Sequence, residues 1–467
     1  MSVQKNIQKN VNFPATHTYT TITEYLDTHW NRKDIQLERM KKLDALCGSP
    51  SKKLKAIVIN GTNGKSLTAH FTSKLLKEEG FLVGTLYAPH TLSYNERLVL
   101  NGEVISQKLF TSHVEEIISI ANTNNISATS QEILIQAALC YFVNNNTDVV
   151  VLESENGGVH DATALCHPLI LGVTRLTAHV VDEQGYADLA TIKEFLGTIQ
   201  PTTTVISGDQ NKANLKSMQD FVESSKSTWA MPIRKLTPLA YPYEQLHGRC
   251  AALAERIASI FINEHAYDAP QLTTTSLLKK VKGQRGRPTL DVKRKKELNP
   301  KRTIEDFWKD TLSTLPAHFQ LLEKEKPYVL IDNASNIDAF KNLFLGIRLL
   351  HYKKSLKNLI VILASSKETL DYQAFLKETR YFFKKTSCSI VICPLPTRAD
   401  LPYTSWNVET VVQDLKSSKI KARSSQSLED AFESSKKILT DRNSLIVVAG
   451  PNSFIAHYWN HKGIKKL

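Results

Sequence analysis

The chain has no CxxC pair, no apolar run approaching the ~18 residues of a membrane span, no internal repeat and no low-complexity tract. Each absence removes a class of function. The six cysteines (Cys47, Cys140, Cys166, Cys250, Cys388 and Cys393) are scattered, several of them in apolar runs. That suits reduced, buried thiols and excludes a zinc knuckle, a disulfide framework and a dithiol redox centre. Met1 to Asn12 is polar, without the hydrophobic stretch of a secretory signal, so a soluble cytoplasmic protein with no membrane partner is expected. Acidic residues are in deficit, 46 against 59 lysines and arginines, a net charge of +13. Much of the excess lies in Lys279 to Arg302, and that segment contains no aromatic residue. With neither stacking aromatics nor a recognisable nucleic-acid module, the segment reads as a solvated loop beside a nucleotide or polyanionic substrate.

What is present is alternation. Apolar, β-branched runs at Ala56 to Asn60, Val83 to Tyr87, Asp148 to Glu153, Leu169 to Thr174 and Thr203 to Ser207 predict strands. Helical spacing falls between them at Leu67 to Glu79, Ser106 to Ala121, Gln131 to Asn144 and Leu189 to Thr198, with a further helix at Leu246 to Ile262. Thr21 to Leu46 reads as one helix ahead of them. After the basic segment the pattern resumes, with strands at Tyr328 to Asp332, Leu359 to Ala364, Ser389 to Pro394 and Ser444 to Gly450, and helices such as Ala339 to Leu350 and Leu428 to Leu439. Such alternation implies α/β units with mostly parallel sheets. A length of 467 residues exceeds what one core usually serves. The expected division is a tail over 1–18, a first domain over 19–291, a basic linker or insertion over 292–326 and a smaller second domain over 327–467.

One stretch carries chemistry directly. Ile57-Val58-Ile59 runs into Asn60-Gly61-Thr62-Asn63-Gly64-Lys65-Ser66, and a helical segment follows at once. Strand, glycine loop and helix N-terminus form a triphosphate cradle: glycines let backbone N–H groups close on phosphate oxygens, Lys65 reaches the β/γ-phosphates, and the Ser66 hydroxyl is a Mg²⁺ ligand. The loop is shorter than the usual GxxxxGK[ST], because Ile59 stands where the first glycine would be.

Further blocks line up in order with this loop. They are Leu37-Glu38-Arg39-Met40 through Gly48-Ser49-Pro50, Pro89-His90 followed by Asn95-Glu96-Arg97, Gln131-Glu132, Glu153 leading to Gly157-Gly158 and Asp161-Ala162-Thr163, then Gly286-Arg287, Asp332 to Asn336, and Lys367. As an ordered set they resemble the folylpolyglutamate synthase/dihydrofolate synthase family of the Mur ligase superfamily. The resemblance implies a nucleotide-binding, mostly parallel domain followed by a smaller Rossmann-like α/β domain. It implies an ATP- and Mg²⁺-dependent ligase that joins L-glutamate to a folate or dihydropteroate carboxylate through an acyl phosphate, as a monomer. It assigns Lys65, Glu153 and His179 to catalysis, and Ser66, Glu153 and His179 to the metal. Gly61, Thr62, Asn63, Gly64, Lys65, Ser66, Arg287 and Asp332 go to ATP, and Pro89, His90, Glu132 and Asp161 to the folate. Asp161 reads equally as a helix N-cap.

The departures lie in the chemistry. With no gap between Asp161 and Pro201, the family's Asp-His metal motif falls on His179-Val180, and a lysine carbamylated in many members falls on Phe195. A one-residue shift restores His179 as an imidazole ligand, but no equivalent shift finds a lysine except Lys193, two residues from Phe195. Ser335 replaces the histidine of DGAHN, and Ser154, Glu155 and Asn156 stand where small or apolar residues are expected. These changes motivate two alternatives: a catalytically degenerate nucleotide-binding paralogue, or a Mur-type ligase with another acceptor.

Overall fold

The computed structural model describes residues 17–30, 35–155, 157–177, 180–182, 184–237, 239, 244–266, 276–278, 303–310, 315–386, 388–396 and 404–464. Lys279 to Arg302, including Gly286 and Arg287, lies outside them, as does His179. Two helices come first, α1 (Tyr19–Thr28) and α2 (Leu37–Leu46), where the apolar spacing predicts one. The helix is cut by tertiary bonds. Ser130 takes the carbonyls at the end of α1, its hydroxyl donating to Leu26 O and its N–H to His29 O. Those bonds satisfy carbonyls that the end of a helix leaves without a full set of intrahelical partners.

The first unit then runs β1 (Ala56–Asn60), α3 (Lys65–Glu78), β2 (Val83–Leu86), β3 (Leu98–Leu100), β4 (Glu103–Val104), α4 (Gln107–Thr123), α5 (Ser130–Asn144), β5 (Val149–Glu153), β6 (Ile170–Val173), α6 (Leu189–Leu196), β7 (Thr204–Ser207), α7 (Lys212–Ser224), β8 (Thr228–Ala230) and α8 (Glu244–Ile260). Its eight strands lie in the order β4-β3-β2-β5-β1-β6-β7-β8. All pairings are parallel except β2 with β3 and β3 with β4. Because strand side chains alternate, β1 feeds two cores: Ala56 and Val58 pack with α1, α2, α4 and α5, while Ile57 and Ile59 pack with α3 and α8. A strand buried on both faces is why its sequence is a continuous apolar run.

After α9 (Ile304–Asp310) come β9 (Gln320–Leu322), β10 (Tyr328–Asp332), α10 (Ile337–Lys354), β11 (Leu359–Leu363), α11 (Tyr372–Lys385), β12 (Cys388–Ile392), α12 (Val408–Ser417), β13 (Ala422–Ser424), α13 (Leu428–Ile438), β14 (Leu445–Ala449) and α14 (Asn452–His461). The second sheet has the order β13-β12-β11-β14-β10-β9, with β9 antiparallel and the other pairings parallel. It too is covered on both faces, Leu330 and Val361 on one side, Val329 and Ile360 on the other. The expected strands end within two residues of where the apolar runs place them; β3, β4, β8, β9 and β13, each two or three residues long, were not expected. Among the described residues no helix is long and apolar enough to cross a membrane.

Candidate functional site

The C-terminal ends of β1, β5 and β10 and the start of α14 meet around a cavity of about 300 Å³ between the two sheets. Openings of this kind, outside the carboxyl ends of parallel strands, are where open α/β sheets hold ligands. Thr62, Asn63, Gly64, Lys65 and Ser66 form one wall. The loop keeps its shape because its glycines have no side chains. Gly61 has φ +121°, and a Cβ there would fall 2.3 Å from Thr174 Oγ1. Gly64 begins α3 with φ +89°, and its Cβ would fall 2.8 Å from Cys250 Sγ on α8. Thr62 is pinned by two hydrogen bonds, its N–H and hydroxyl each donating to Arg175 O at 2.8 Å. Lys65 Nζ donates to Gly61 O at 3.0 Å, keeping the ammonium over the loop.

Opposite the helix start lies Glu153, the last residue of β5, fixed beside β1 by a parallel register in which Ile59 pairs with it. Its Oε1 accepts from Ser66 Oγ at 2.8 Å and its Oε2 from Ala88 N at 3.2 Å. Burial pushes this carboxyl up to about 7, against the opposing pull of Lys65, the Ser66 hydroxyl and the Ala88 N–H, with Glu155 adding to the rise. A buried acid so placed gains most from a nearby cation. Among the described residues no group of three or more His, Cys, Asp or Glu is assembled. Two hard oxygen donors, with no third ligand assembled among the described residues, suit Mg²⁺, which keeps several waters and is completed by phosphates, rather than zinc.

The facing wall comes from the second unit: His318, Phe319, Asp332, Asn333, Ser335 and the apolar flank of α10 through Ala339, Leu343 and Gly346. Asp332 shapes it. Its carboxylate accepts from Phe319 N and Ala334 N, both at 2.9 Å, while burial raises its proton affinity to about 7. Ala317 and Phe319 both hold positive φ, 62° and 49°, a costly backbone that these bonds stabilise. His247 of α8 and His318 line the same space; burial holds His247 down at about 3 and lowers His318 as well. Both rings are therefore neutral at physiological pH, hydrogen-bonding groups without charge.

The remaining expected residues divide. Pro89 lines the cavity, and His90 lies buried behind it, its Nδ1 accepting from Arg97 Nε at 3.0 Å. Glu132 is fully buried in α5, where it pairs with Arg39 Nε at 2.8 Å and accepts from Gln36 N and Thr129 N. It is the N3 acid of a capping box, and the Thr129-x-x-Glu132 spacing is the signal that marks it. Asp161 takes the N-cap reading, accepting from Thr163 N at 2.9 Å and Glu155 N at 2.8 Å, and is buried. Phe195 is a core residue whose ring lies against Gly157 and whose carbonyl accepts from Asn60 Nδ2 at 2.8 Å. Lys193 and Lys367 are exposed. His179 and Arg287 belong to the undescribed residues. The sequence reading missed His247, His318 and Phe319 as wall residues, and took Glu155 only as a departure within the Glu153 to Gly158 block; the three lie outside every motif, and the meeting of two sheets brings them together.

No family model matches the chain. Among curated proteins it is 35% identical over 145 residues to the dihydrofolate synthase/folylpolyglutamate synthase of Bacillus subtilis, covering 30% of this chain and 34% of that one. The chain thus matches only about a third of that relative, and about half or less of the bacterial and bovine relatives that follow it. In structure it superposes on Mycobacterium tuberculosis folylpolyglutamate synthase complexed with ADP, with a TM-score of 0.73 and 19% identity over 95% of this chain and 97% of that one. Escherichia coli FolC in complex with DHPP and ADP gives 0.72 at 19% identity, over 96% and 98%. The protein therefore has the Mur-ligase-like α/β fold of these ligases. The curated relatives carry the same family name that its motifs resemble.

Proposed function

We propose that this protein is an ATP- and Mg²⁺-dependent ligase that joins L-glutamate to the carboxylate of a folate-type acceptor through an acyl phosphate. The observation that carries the reading is the Ser66–Glu153 contact of 2.8 Å at the mouth of the glycine loop, inside a cavity walled by both units. Curated relatives named for this activity, and related structures complexed with ADP, support it. In this reading 19–291 is the nucleotide-binding domain, 327–467 the glutamate-ligase-like domain and 292–326 the linker, and the protein acts in the cytoplasm as a monomer.

The chemistry follows from the residues. Lys65 and the N-terminus of α3 hold the β/γ-phosphates, neutralising charge as the acceptor carboxylate attacks the γ-phosphorus. Ser66 and Glu153 hold Mg²⁺, which when bound supplies further positive charge at the transferring phosphoryl group. His179 is retained as a proposed third contact to that metal, and Arg287 as one to the nucleotide. Asp332 positions the Ala317–Phe319 turn along the nucleotide, and Pro89, with His90 and Arg97 behind it, borders the acceptor. Water is held off by the apposed units, so the acyl phosphate meets glutamate's amine before it hydrolyses.

A second reading is favoured by one specific observation. Phe195 fills, as packed core, the place the resemblance gives to a metal-binding lysine. A chain that binds nucleotide without turnover, or a Mur-type ligase with another acceptor, would tolerate that substitution. Incubation with ATP, Mg²⁺, glutamate and either dihydropteroate or tetrahydrofolate separates the readings. The ligase releases ADP only when an acceptor is present, and absence of acceptor-dependent ADP despite tight ATP binding favours the degenerate form.

A further inference from the structure

We propose that Arg175 and Asp338 form a clasp across the two units that holds the phosphate loop in its binding shape, making both positioning residues for the nucleotide. The inference rests on the nucleotide-binding reading above and adds residues that none of the motifs contains. Arg175 follows β6 and serves the loop twice. Its carbonyl takes both donors of Thr62, and its guanidinium reaches across to Asp338 Oδ2 at 3.0 Å. Asp338 stands in the first turn of α10, where the helix N-terminus favours a carboxylate. The same Oδ2 accepts from Asn63 Nδ2 at 2.9 Å, and Asn63 lies in the loop itself.

Asn336, the N-cap of α10, completes the contact by exchanging amide hydrogen bonds with Asn63, at 2.8 and 3.0 Å. Thr177 closes the circle, its N–H donating to Thr62 Oγ1 at 2.9 Å. Two consecutive loop residues, Thr62 and Asn63, are thereby tied to one ion pair that spans the units. The pair is mostly buried, 20% and 16% exposed, where charge interactions are screened less than on an open surface. Its sign matters as much as its strength. Asp338 is a negative charge one hydrogen bond from the phosphate loop, and Arg175, bonded to it, offsets it with help from the nearby Arg249 of α8.

That arrangement predicts an asymmetry which general loosening of the fold does not. Arg175→Ala removes the cancelling charge and leaves Asp338 facing the triphosphate, so MgATP affinity measured by calorimetry on the full chain falls by about tenfold or more. Asp338→Ala loses the tie to Asn63 but also the repulsion, and costs only a few-fold. The double variant binds like Asp338→Ala alone, the second change rescuing the first, and Arg175→Lys retains most of the affinity. In parallel, amide exchange of residues 61–66 without nucleotide quickens in both single variants while β10 and β11 keep their protection. Additive losses in the double variant, or unchanged ATP affinity and loop exchange in folded single variants, overturn the clasp. A parent chain that binds no MgATP refutes the nucleotide reading instead, and loop exchange alone then decides whether the clasp exists.

Discussion

Glu153 is buried where the proposed chemistry needs it charged. With its proton affinity raised to about 7 by burial, it exchanges its proton in the physiological range. The carboxylate form is the one that holds a cation, so kcat/KM for ATP should climb with pH through an apparent pKa near 7. Glu153→Gln should flatten that profile and lower the rate ~10²–10³-fold, by analogy with loss of a single charge-stabilising group. Asp332 gives a stability counterpart. Its folded-state affinity, about 7 against an ordinary 3.8, means that the folded protein binds the proton more tightly than the unfolded chain. The contribution is fully present below pH ~4 and is lost as pH rises through about 7, a change on the order of 4 kcal/mol. Chemical denaturation of the parent and of Asp332→Asn across pH 4 to 8 should show a smaller pH dependence in the variant, the part contributed by Glu153 remaining in both. Glu153 stands out in the sequence because it ends an apolar strand, where a carboxylate is out of place, whereas Asp332 is singled out only by the family resemblance. Glu132 shows the ambiguity of an acid at a helix start, which serves a cap as readily as a ligand, and its partner Arg39 lies far off in sequence.

At the level of elements, the strand β1, its loop and α3 act as one device. Apolar β-branched residues fix the strand, two glycines permit the turn, and the helix start faces the cavity. Gly64→Ala forces φ +89° on an L-residue and drives a methyl to 2.8 Å from Cys250 Sγ. The expected cost is ~2–3 kcal/mol of unfolding free energy together with weakened ATP binding, read from denaturant curves and calorimetry. Adding Cys250→Ala relieves the contact but not the dihedral, so it should restore only part of the loss. The long strands were legible because burial on both faces makes them continuous apolar runs. Their short neighbours β3, β4 and β8 were not, since two or three residues are too few to carry a periodicity. The break between α1 and α2 was likewise hidden: Ser130, a hundred residues on, ends the helix, and local spacing contains no trace of it.

Across the whole molecule, function depends on two sheets presenting their strand ends to one cavity. The order of motifs foretold two α/β units, but not which residues would face each other across the gap. Arg175 with Asp338, Asn63 with Asn336, and the donation from Asn452 Nδ2 to His90 O at 3.1 Å are all pairings between distant parts of the chain. Sequence patterns report what a residue does within its own element, so contacts of this kind escape them. The same limit applies to catalysis: Phe195 and Ser335 differ from the resembled pattern, while Lys65 and Glu153 match it and Ser66 directly after Lys65 follows the wider Mur pattern. The most direct test of the ligase reading is ADP release by the purified full chain supplied with MgATP, L-glutamate and dihydropteroate or tetrahydrofolate. The account predicts ADP formation that requires both glutamate and acceptor, in step with a product heavier by one glutamyl residue. Binding of MgATP with no acceptor-dependent ADP and no glutamylated product would contradict it.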